Sequence, residues 1–243
     1  MIRALAIVLF VLAGTAAARA QALVADLSSH LIAITTGFSG TELLLFGAKE
    51  GEGDVVVIVR GPDGDTTVRR KSRVAGIWIN RDDLRFAGVP SFYRVAASRP
   101  LADFVPASLR QRHQIGVEYL RLQPARELNS EDTAAFRAGM IRNKEAVRLY
   151  DPEVGRVSFL GNRLFRTRIV FPANVPTGNY TVEVLLVNGG QVIAAQTTPM
   201  YVSKVGVGAD IYDFAHDYAA LYGLIAIFLA VAAGWGAGVV FRK

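Results

Sequence analysis

The chain has 243 residues, no cysteine, and 27 basic against 21 acidic side chains. Without cysteine it has no disulfides, no thiolate metal site and no thiol catalysis, so burial alone must hold the fold. The mild positive charge argues against a dedicated nucleic-acid binder, which would concentrate its basic residues, and we expect no nucleic-acid partner.

The first twenty residues have the pattern of a cleaved signal peptide. Arg3 precedes an apolar run at 4–14, and Ala18-Arg19-Ala20 is a cleavage site of the A-x-A type, with a second site at Ala20-Gln21-Ala22. The apolar run is too short to span a membrane. We therefore predict that the body of the protein is exported.

From Leu23 onward, short β-prone runs alternate with turn residues. The most β-prone run is Asp54–Arg60, and Gly61-Pro62-Asp63-Gly64 is predicted to end it in a turn. Trp78, between Ile77 and Ile79, is assigned to the core. Other strands are predicted at 31–36, 42–46, 66–74, 76–80 and 92–97. Strands at this spacing are typical of an antiparallel, immunoglobulin-like sandwich.

A helix is predicted in the middle of the chain. Asn129 is a capping residue followed by acidic side chains, and Asp151-Pro152 stops the helix near Tyr150. Before it, residues 101–112 are predicted as a short helix or an irregular link, and 115–122 as a strand. The predicted apolar face of the helix consists of Phe136, Met140, Val147 and Tyr150.

β structure returns after the helix, with strands predicted at 163–171, 180–187, 191–196 and 200–203. Asn188-Gly189-Gly190 predicts a type I′ hairpin. The pattern fits two β lobes around a helical insert, or one composite sandwich.

The chain ends in an uncharged run, residues 219–241, followed by Arg242 and Lys243. A helix of that length rises ~34 Å, enough to cross a hydrocarbon core ~30 Å thick. The basic tail favours a cytoplasmic C-terminus and a periplasmic N-terminus at the bacterial inner membrane. The predicted segments are a signal peptide (1–20), an N-terminal β lobe (21–100), a helical insert (101–152), a C-terminal β lobe (153–205), a juxtamembrane stretch (206–218), a transmembrane helix (219–241) and a cytoplasmic tail (242–243).

Several blocks of the mature chain carry a family resemblance. They read LVADLSSHLIAITTGFSGTELLLFGA, DVVVIVRGP, VRRKSRVAGIWIN, VPSFYRVAASRPL and NVPTGNYTVEVLLVNGG. Together they resemble the alphaproteobacterial transmembrane protein family Alph_Pro_TM over essentially the whole mature chain. The resemblance implies a location and no reaction. Family members are often encoded beside sulfite-exporter-type permeases, which implies an accessory role with a permease as the partner.

Small residues recur at every fourth position of the terminal run, at Ala226, Ala230, Gly234 and Gly238. Such a stripe lets two helix backbones approach closely within a membrane. It predicts packing against a partner, either another membrane protein or a second copy, although alanine and glycine are also common in membrane spans.

Arg69, Arg70, Lys71 and Arg73 form a basic run between two predicted strands. Clustered donors can hold an anion such as sulfite, sulfate or a lipid headgroup. The competing interpretation, which we favour, is a solvated or edge strand whose charges discourage pairing with other chains.

No motif points to catalysis. His30, His113 and His216 lie far apart without ligand spacing, and the only suggestive cluster is His216 between Asp213 and Asp217. No P-loop, dinucleotide fingerprint or nucleophile elbow occurs. We predict no metal, no cofactor and no enzymatic activity. The alternative is a membrane-tethered enzyme or solute-binding protein that uses the basic run.

Overall fold

The structure is a computed structural model that describes residues 23–74 and 76–241. The predicted signal peptide, Arg242 and Lys243 lie outside the described residues. The strands are β1 (Leu23–Leu27), β2 (Leu31–Ile34), β3 (Gly40–Lys49), β4 (Asp54–Arg60), β5 (Asp63–Val74), β6 (Ile77–Pro90), β7 (Tyr93–Ala97), β8 (Gln123–Pro124), β9 (Gly155–Arg156), β10 (Ser158–Leu160), β11 (Leu164–Pro172), β12 (Gly178–Asn188) and β13 (Gln191–Lys204). The α-helices are α1 (Ala107–His113), α2 (Ser130–Ala146), α3 (Val207–Asp217) and α4 (Ala219–Val240).

The described part of the chain is mostly β, as predicted, and its strands form three sheets. The largest has the order β2-β13-β12-β4-β7-β9, the second β1-β3-β11-β10, and the smallest β5-β6-β8. Neighbouring strands are antiparallel except β2 beside β13 and β7 beside β9, which are parallel. The immunoglobulin-like connectivity stays a prediction.

Both larger sheets contain strands from before and strands from after the helical segment. β3 pairs with β11 from Gly40↔Pro172 to Ala48↔Leu164, and β4 pairs with β12. The two β segments therefore share one hydrophobic core, and the predicted boundaries at 100 and 153 separate stretches of sequence that belong to common sheets.

An aromatic cluster joins the two larger sheets in the core. Phe171 of β11 stacks on Phe92, which precedes β7, with ring centroids 4.9 Å apart, and Tyr180 of β12 meets both rings. The central strand β4 is buried on both of its faces, which explains its continuous apolar run.

The hairpin predicted at Asn188-Gly189-Gly190 is confirmed. Asn188 pairs with Gln191, and the two glycines have φ values of 56° and 74°. Positive φ at both central residues is the signature of a type I′ turn. The following strand runs without a break to Lys204, so the gap predicted between 196 and 200 was wrong.

The turn predicted at 61–64 is also wrong. The chain does not reverse there but continues from β4 into β5, which pairs with β6 in a two-stranded antiparallel ribbon. β4 pairs with β7 up to Arg60↔Tyr93, and β5 pairs with β6 from Asp63↔Pro90. Backbone hydrogen bonds bridge the gap, from Gly61 N to Phe92 O at 2.8 Å and from Ser91 N to Pro62 O at 2.9 Å. The Asp-rich stretches at 63–65 and 82–83 therefore lie in strands.

The ribbon leaves the six-stranded sheet at the same end as the chain leading to α3 and α4. Thr181 of β12 faces Arg60 on one side and Pro199 on the other, and both neighbouring strands run antiparallel to β12. β4 and β13 therefore run in the same direction. β4 continues into β5, and β13 continues through Lys204 toward α4.

The helix predicted in the middle of the chain is α2. The side-chain oxygen of Asn129 accepts a hydrogen bond from Asp132 N at 2.7 Å, which confirms the predicted cap. The helix ends at Ala146 rather than near Tyr150, and Arg148 has a φ of 59°. Phe136, Met140 and Tyr150 are buried, whereas Val147 is exposed, contrary to prediction.

The strand predicted at 115–122 is absent from the described structure. Gly116 has a φ of 107°, which turns the chain, and a 3-10 helix follows at Val117–Tyr119. Ile115 and Leu120 are still buried, so the apolar pattern there marked core contacts without a sheet.

Candidate functional site

The predicted basic run lies in the outer half of the ribbon, residues 69–74 and 76–83, which we call the ribbon tip. Val68 and Leu84 are the outermost buried side chains of the two strands. Beyond them, no side chain of the described tip is fully buried. The ribbon therefore projects from the body by about six residues per strand.

Arg70 ties the base of the ribbon tip to α2. Its guanidinium lies 2.7 Å from a carboxylate oxygen of Asp132 and 3.1 Å from one of Asp82, and it stacks over the ring of Phe136. The hydrogen bond from Arg70 lowers the pKa of Asp132, and the hydrogen bonds to Asp132 and Asp82 raise the pKa of Arg70. Arg70, a candidate member of the anion patch, thus has a structural role.

The other members of the predicted patch have no such partners. Within the part of the chain that the structure describes, Arg69, Lys71 and Arg73 form no salt bridge. Arg73 donates only to Gly76 O, at 3.3 Å. These three cations are exposed and available to an external anion.

Four large apolar side chains are exposed at the ribbon tip. The exposed fractions are 44% for Val74, 69% for Ile77, 66% for Trp78 and 43% for Ile79. The assignment of Trp78, Ile77 and Ile79 to the core was wrong, because no described element covers this part of the ribbon. The sequence does not distinguish this exposed cluster from a core strand, because both have the same local pattern.

The strand register distributes these side chains over two faces of the ribbon tip. Val74 pairs with Ile77, and Ser72 with Ile79, so this face is apolar apart from a hydroxyl. Arg73 pairs with Trp78, and Lys71 with Asn80, so the opposite face combines an indole with two cations. At its end, the ribbon tip is therefore apolar on one face and combines Trp78 with cations on the other.

The predicted small-residue stripe lies on α4, and the body of the protein leaves it uncovered. Gly234 and Gly238 have no heavy atom within 4 Å of the position that a Cβ would take. No residue of α4 is buried in the described structure. Ala226 and Ala230 lie on the same stripe, so a partner could approach all four positions.

The histidines do not come together. His30 lies 3.0 Å from Asp26, His216 contacts the carbonyl of Tyr212, and His113 Nδ1 lies 3.4 Å from Glu183. Among the described residues, no three histidine or carboxylate side chains converge in a way that could hold a metal ion.

His113 belongs instead to a half-buried network that links α1 to the root of the ribbon, where β4 and β7 meet β5 and β6. Arg60 donates to Glu183 at 3.2 Å and also to the carbonyl of His113. The Tyr93 hydroxyl donates to Gln114 O at 2.5 Å and accepts from Gly116 N at 2.8 Å. Burial raises the pKa of Tyr93 to about 12, which suits a structural hydroxyl better than a proton-transfer group.

An apolar groove of about 350 Å³ lies on the outer face of the four-stranded sheet. Exposed apolar side chains from β1, β3, β10 and β11 line it, and they include Val24, Phe46, Leu160 and Leu164. The sequence carried a signal that we missed, because apolar residues occupy both faces of β1 and β3 rather than alternating strictly with polar ones.

One described helix, α4, is long and apolar enough to cross a membrane. The family model described as "Putative transmembrane protein (Alph_Pro_TM)" matches residues 22–243. The chain belongs to this family. Searches of curated proteins and of solved structures gave no match.

Membership of Alph_Pro_TM confirms the resemblance noted in the sequence, which covers the β body, the ribbon and α4. It establishes the protein as a membrane protein with one candidate span near its C-terminus. It assigns no catalytic or binding residue.

Proposed function

We propose that this Alph_Pro_TM protein is a single-pass protein of the bacterial inner membrane that works as a binding or accessory module, not as an enzyme. In this proposal a signal peptide at 1–20 exports the β body, an immunoglobulin-like sandwich, to the periplasm. α4 then anchors the body, with its C-terminus in the cytoplasm.

The observation that carries this proposal is the uncovered state of α4. Its 22 residues include no charged side chain, and the body buries none of its most apolar window. A helix that is apolar all round needs lipid or protein around it. The stripe at Ala226, Ala230, Gly234 and Gly238 lets a second helix approach α4 closely.

The partner that we propose is another membrane protein, a permease of the sulfite-exporter type. This choice rests on the genome context that the family resemblance implies. A homodimer through the same face of α4 is the other arrangement that the stripe permits.

The test is affinity purification of the full-length protein from native membranes in mild detergent, with the co-purifying proteins identified by mass spectrometry. Replacing Gly234 and Gly238 by leucine fills the stripe and should abolish the association. Gly236 provides the matched control, because at ~100° per residue it lies on the opposite face of the helix. Gly236→Leu should leave the association unchanged.

Two results would contradict the proposal. If the double leucine variant retains its partner, the stripe is not the packing surface. If a stoichiometric partner is lost equally in Gly236→Leu, bulk anywhere on the helix disturbs the complex. Recovery of the protein alone, as a dimer that Gly234→Leu and Gly238→Leu dissociate, would identify a second copy as the partner.

A second candidate function is binding, or enzymatic conversion, of a small anion. It is favoured by the lack of any salt bridge for Arg69, Lys71 and Arg73 in the described structure. Calorimetric titration of the full-length protein with sulfate or sulfite tests it, with all three residues replaced by glutamine as the control. Absence of heat, and of turnover of simple esters or phosphates, would remove this candidate.

A further inference from the structure

The exposed side chains of the ribbon tip form an unusual surface for a soluble domain. Ile77, Trp78 and Ile79 are consecutive, and each is between 43% and 69% exposed. Single exposed apolar residues are common, but a contiguous exposed group marks a contact surface. Beyond β8, which pairs with Phe86 and Ala87, the two strands of the described tip pair only with each other.

The charge around this apolar group is positive. Between residues 69 and 83 the ribbon holds five basic side chains and two acidic ones, Asp82 and Asp83. Asp82 is engaged by Arg70, which also binds Asp132 of α2, and Asp83 faces Arg69 across the ribbon. Lys71, Arg73 and Arg81 remain without a described acidic partner, and they are the basic residues closest to the apolar end.

The position of the ribbon in the fold brings this surface toward the anchor. The ribbon and the segment leading to α4 leave the six-stranded sheet at the same end. β5 has 12 residues, and a strand rises ~3.3 Å per residue, so the tip can reach up to ~40 Å from its root. The chain therefore leaves for α4 from the end of the sheet at which the ribbon begins.

We propose that the ribbon tip is a second membrane contact, which inserts into the headgroup layer of the bilayer that α4 spans. Ile77, Trp78 and Ile79 enter the boundary between headgroups and acyl chains. Lys71 and Arg73 bind phosphate groups of anionic phospholipids. The inference goes beyond the proposed accessory function and rests only on α4 being a membrane span.

The side-chain chemistry favours lipid over a protein partner. Tryptophan prefers the membrane interface, because its ring is apolar and its N–H is polar. Lysine and arginine can lay their apolar stems along the hydrocarbon boundary and keep their charges at the phosphates. Clustered charges on both strands also discourage the pairing of another β-strand along the tip.

Contact at two points would fix the orientation of the β body relative to the membrane. One contact is α4, which follows β13, and the other is the tip of a ribbon that continues β4. Because these strands belong to one sheet, a body held at both points cannot swing freely about the short segment between Lys204 and α4.

The test places the full-length protein in lipid vesicles at a low protein-to-lipid ratio. Trp78 and Trp235 are the two tryptophans of the chain, so a W235F variant leaves Trp78 as the only indole. Vesicles of phosphatidylcholine with phosphatidylglycerol carry bromine labels on the upper acyl chain, which quench nearby indoles. We expect blue-shifted Trp78 emission that the labelled lipid quenches.

Two sets of variants separate the apolar and the charged contributions. Ile77→Asp should abolish the quenching, because a carboxylate does not enter the boundary layer. Replacing Lys71, Arg73 and Arg81 by glutamine should weaken insertion by about a hundredfold, since each basic residue contributes about fivefold at an anionic surface. Replacing Arg156, Arg163 and Arg166 by glutamine removes the same charge elsewhere and should leave the quenching unchanged.

Red-shifted Trp78 emission without lipid quenching would overturn the proposal. It would also be overturned if the spectral shift grows with the protein-to-lipid ratio, which would indicate a second copy. A shift seen only in native membranes, with cross-linking from the tip to another protein, would assign the surface to a protein partner. All these measurements use pure lipid or the tip itself, so they are independent of the stripe on α4.

Discussion

The inner and outer halves of the ribbon belong to the same two strands, yet their apolar side chains have opposite surroundings. In the inner half Leu84 and Phe86 are each 1% exposed, whereas Ile77 and Trp78 in the outer half are 69% and 66% exposed. The difference lies in what covers them, because both halves combine β-prone and charged residues.

The inner half is covered by elements that are distant in sequence. Gly139 of α2 lies against Val68, and β8 pairs with Phe86 and Ala87. In the outer half, α2 contacts only the base, through Arg70, and no described element covers Val74 or residues 77–79. A β-ribbon thus takes its burial from its neighbours, and apolar residues that extend beyond those neighbours require lipid or a partner to cover them.

The largest expected effect is in the inner half. Phe86→Ala should lower the free energy of unfolding by ~3–5 kcal/mol, because it removes a buried ring and leaves a cavity. The measurement is denaturant unfolding of the full-length protein in mild detergent, followed by circular dichroism. Trp78→Ala in the outer half is the matched comparison and should change the free energy by less than ~0.5 kcal/mol. Equal losses would show that the tip is covered within the protein itself.

The hydroxyl of Tyr93, at the root of the ribbon, should have the next largest effect. Tyr93→Phe leaves Gly116 N–H and Gln114 C=O without their partner and should cost ~1–3 kcal/mol.

The same residue gives a pH dependence. Burial raises the pKa of Tyr93 from 10.0 to about 12, so the native state keeps a proton that the unfolded state releases. This contribution to stability is complete below pH 10 and is lost as the pH rises to about 12. The free energy of unfolding, measured at increasing alkaline pH, should fall less steeply in Tyr93→Phe than in the protein with Tyr93. Identical slopes would show that the Tyr93 proton is not linked to folding.

The smallest effect concerns the cap of α2, which covers the inner half. Asn129→Ala should cost ~1 kcal/mol, because Asp132 N loses its acceptor. Asn129→Ser should restore most of the stability, since serine also caps well and places no charge beside Asp132. If thermal unfolding of the full-length protein shows no difference between the alanine and serine variants, the cap has no part in holding α2 over the ribbon.

Local sequence predicted the elements whose signals are local. The β-prone run at Asp54–Arg60 is a strand with the predicted bounds, Asn129 caps α2, and the glycines at 189 and 190 form the predicted hairpin. The terminal apolar run is a long uncovered helix. In each case a few neighbouring residues determine the conformation through φ, capping or periodicity.

The remaining features depend on contacts between distant residues. The pairing of Gly40 with Pro172 makes one core from two β segments, and no local pattern indicates it. The exposure of Trp78 depends on how far α2 extends along the ribbon. In the candidate anion patch, the contact of Arg70 with Asp132 depends on how α2 packs against the ribbon. Local sequence therefore could not predict it.

The most direct test of the account is the side of the membrane on which the body lies. The chain has no native cysteine, so Ser203→Cys and Lys243→Cys each introduce a single thiol, before and after α4. In intact spheroplasts a membrane-impermeant maleimide should label Ser203→Cys, and it should label Lys243→Cys only after lysis. Labelling of both in intact spheroplasts, or of Lys243→Cys alone, would contradict a β body anchored in the periplasm by a single span.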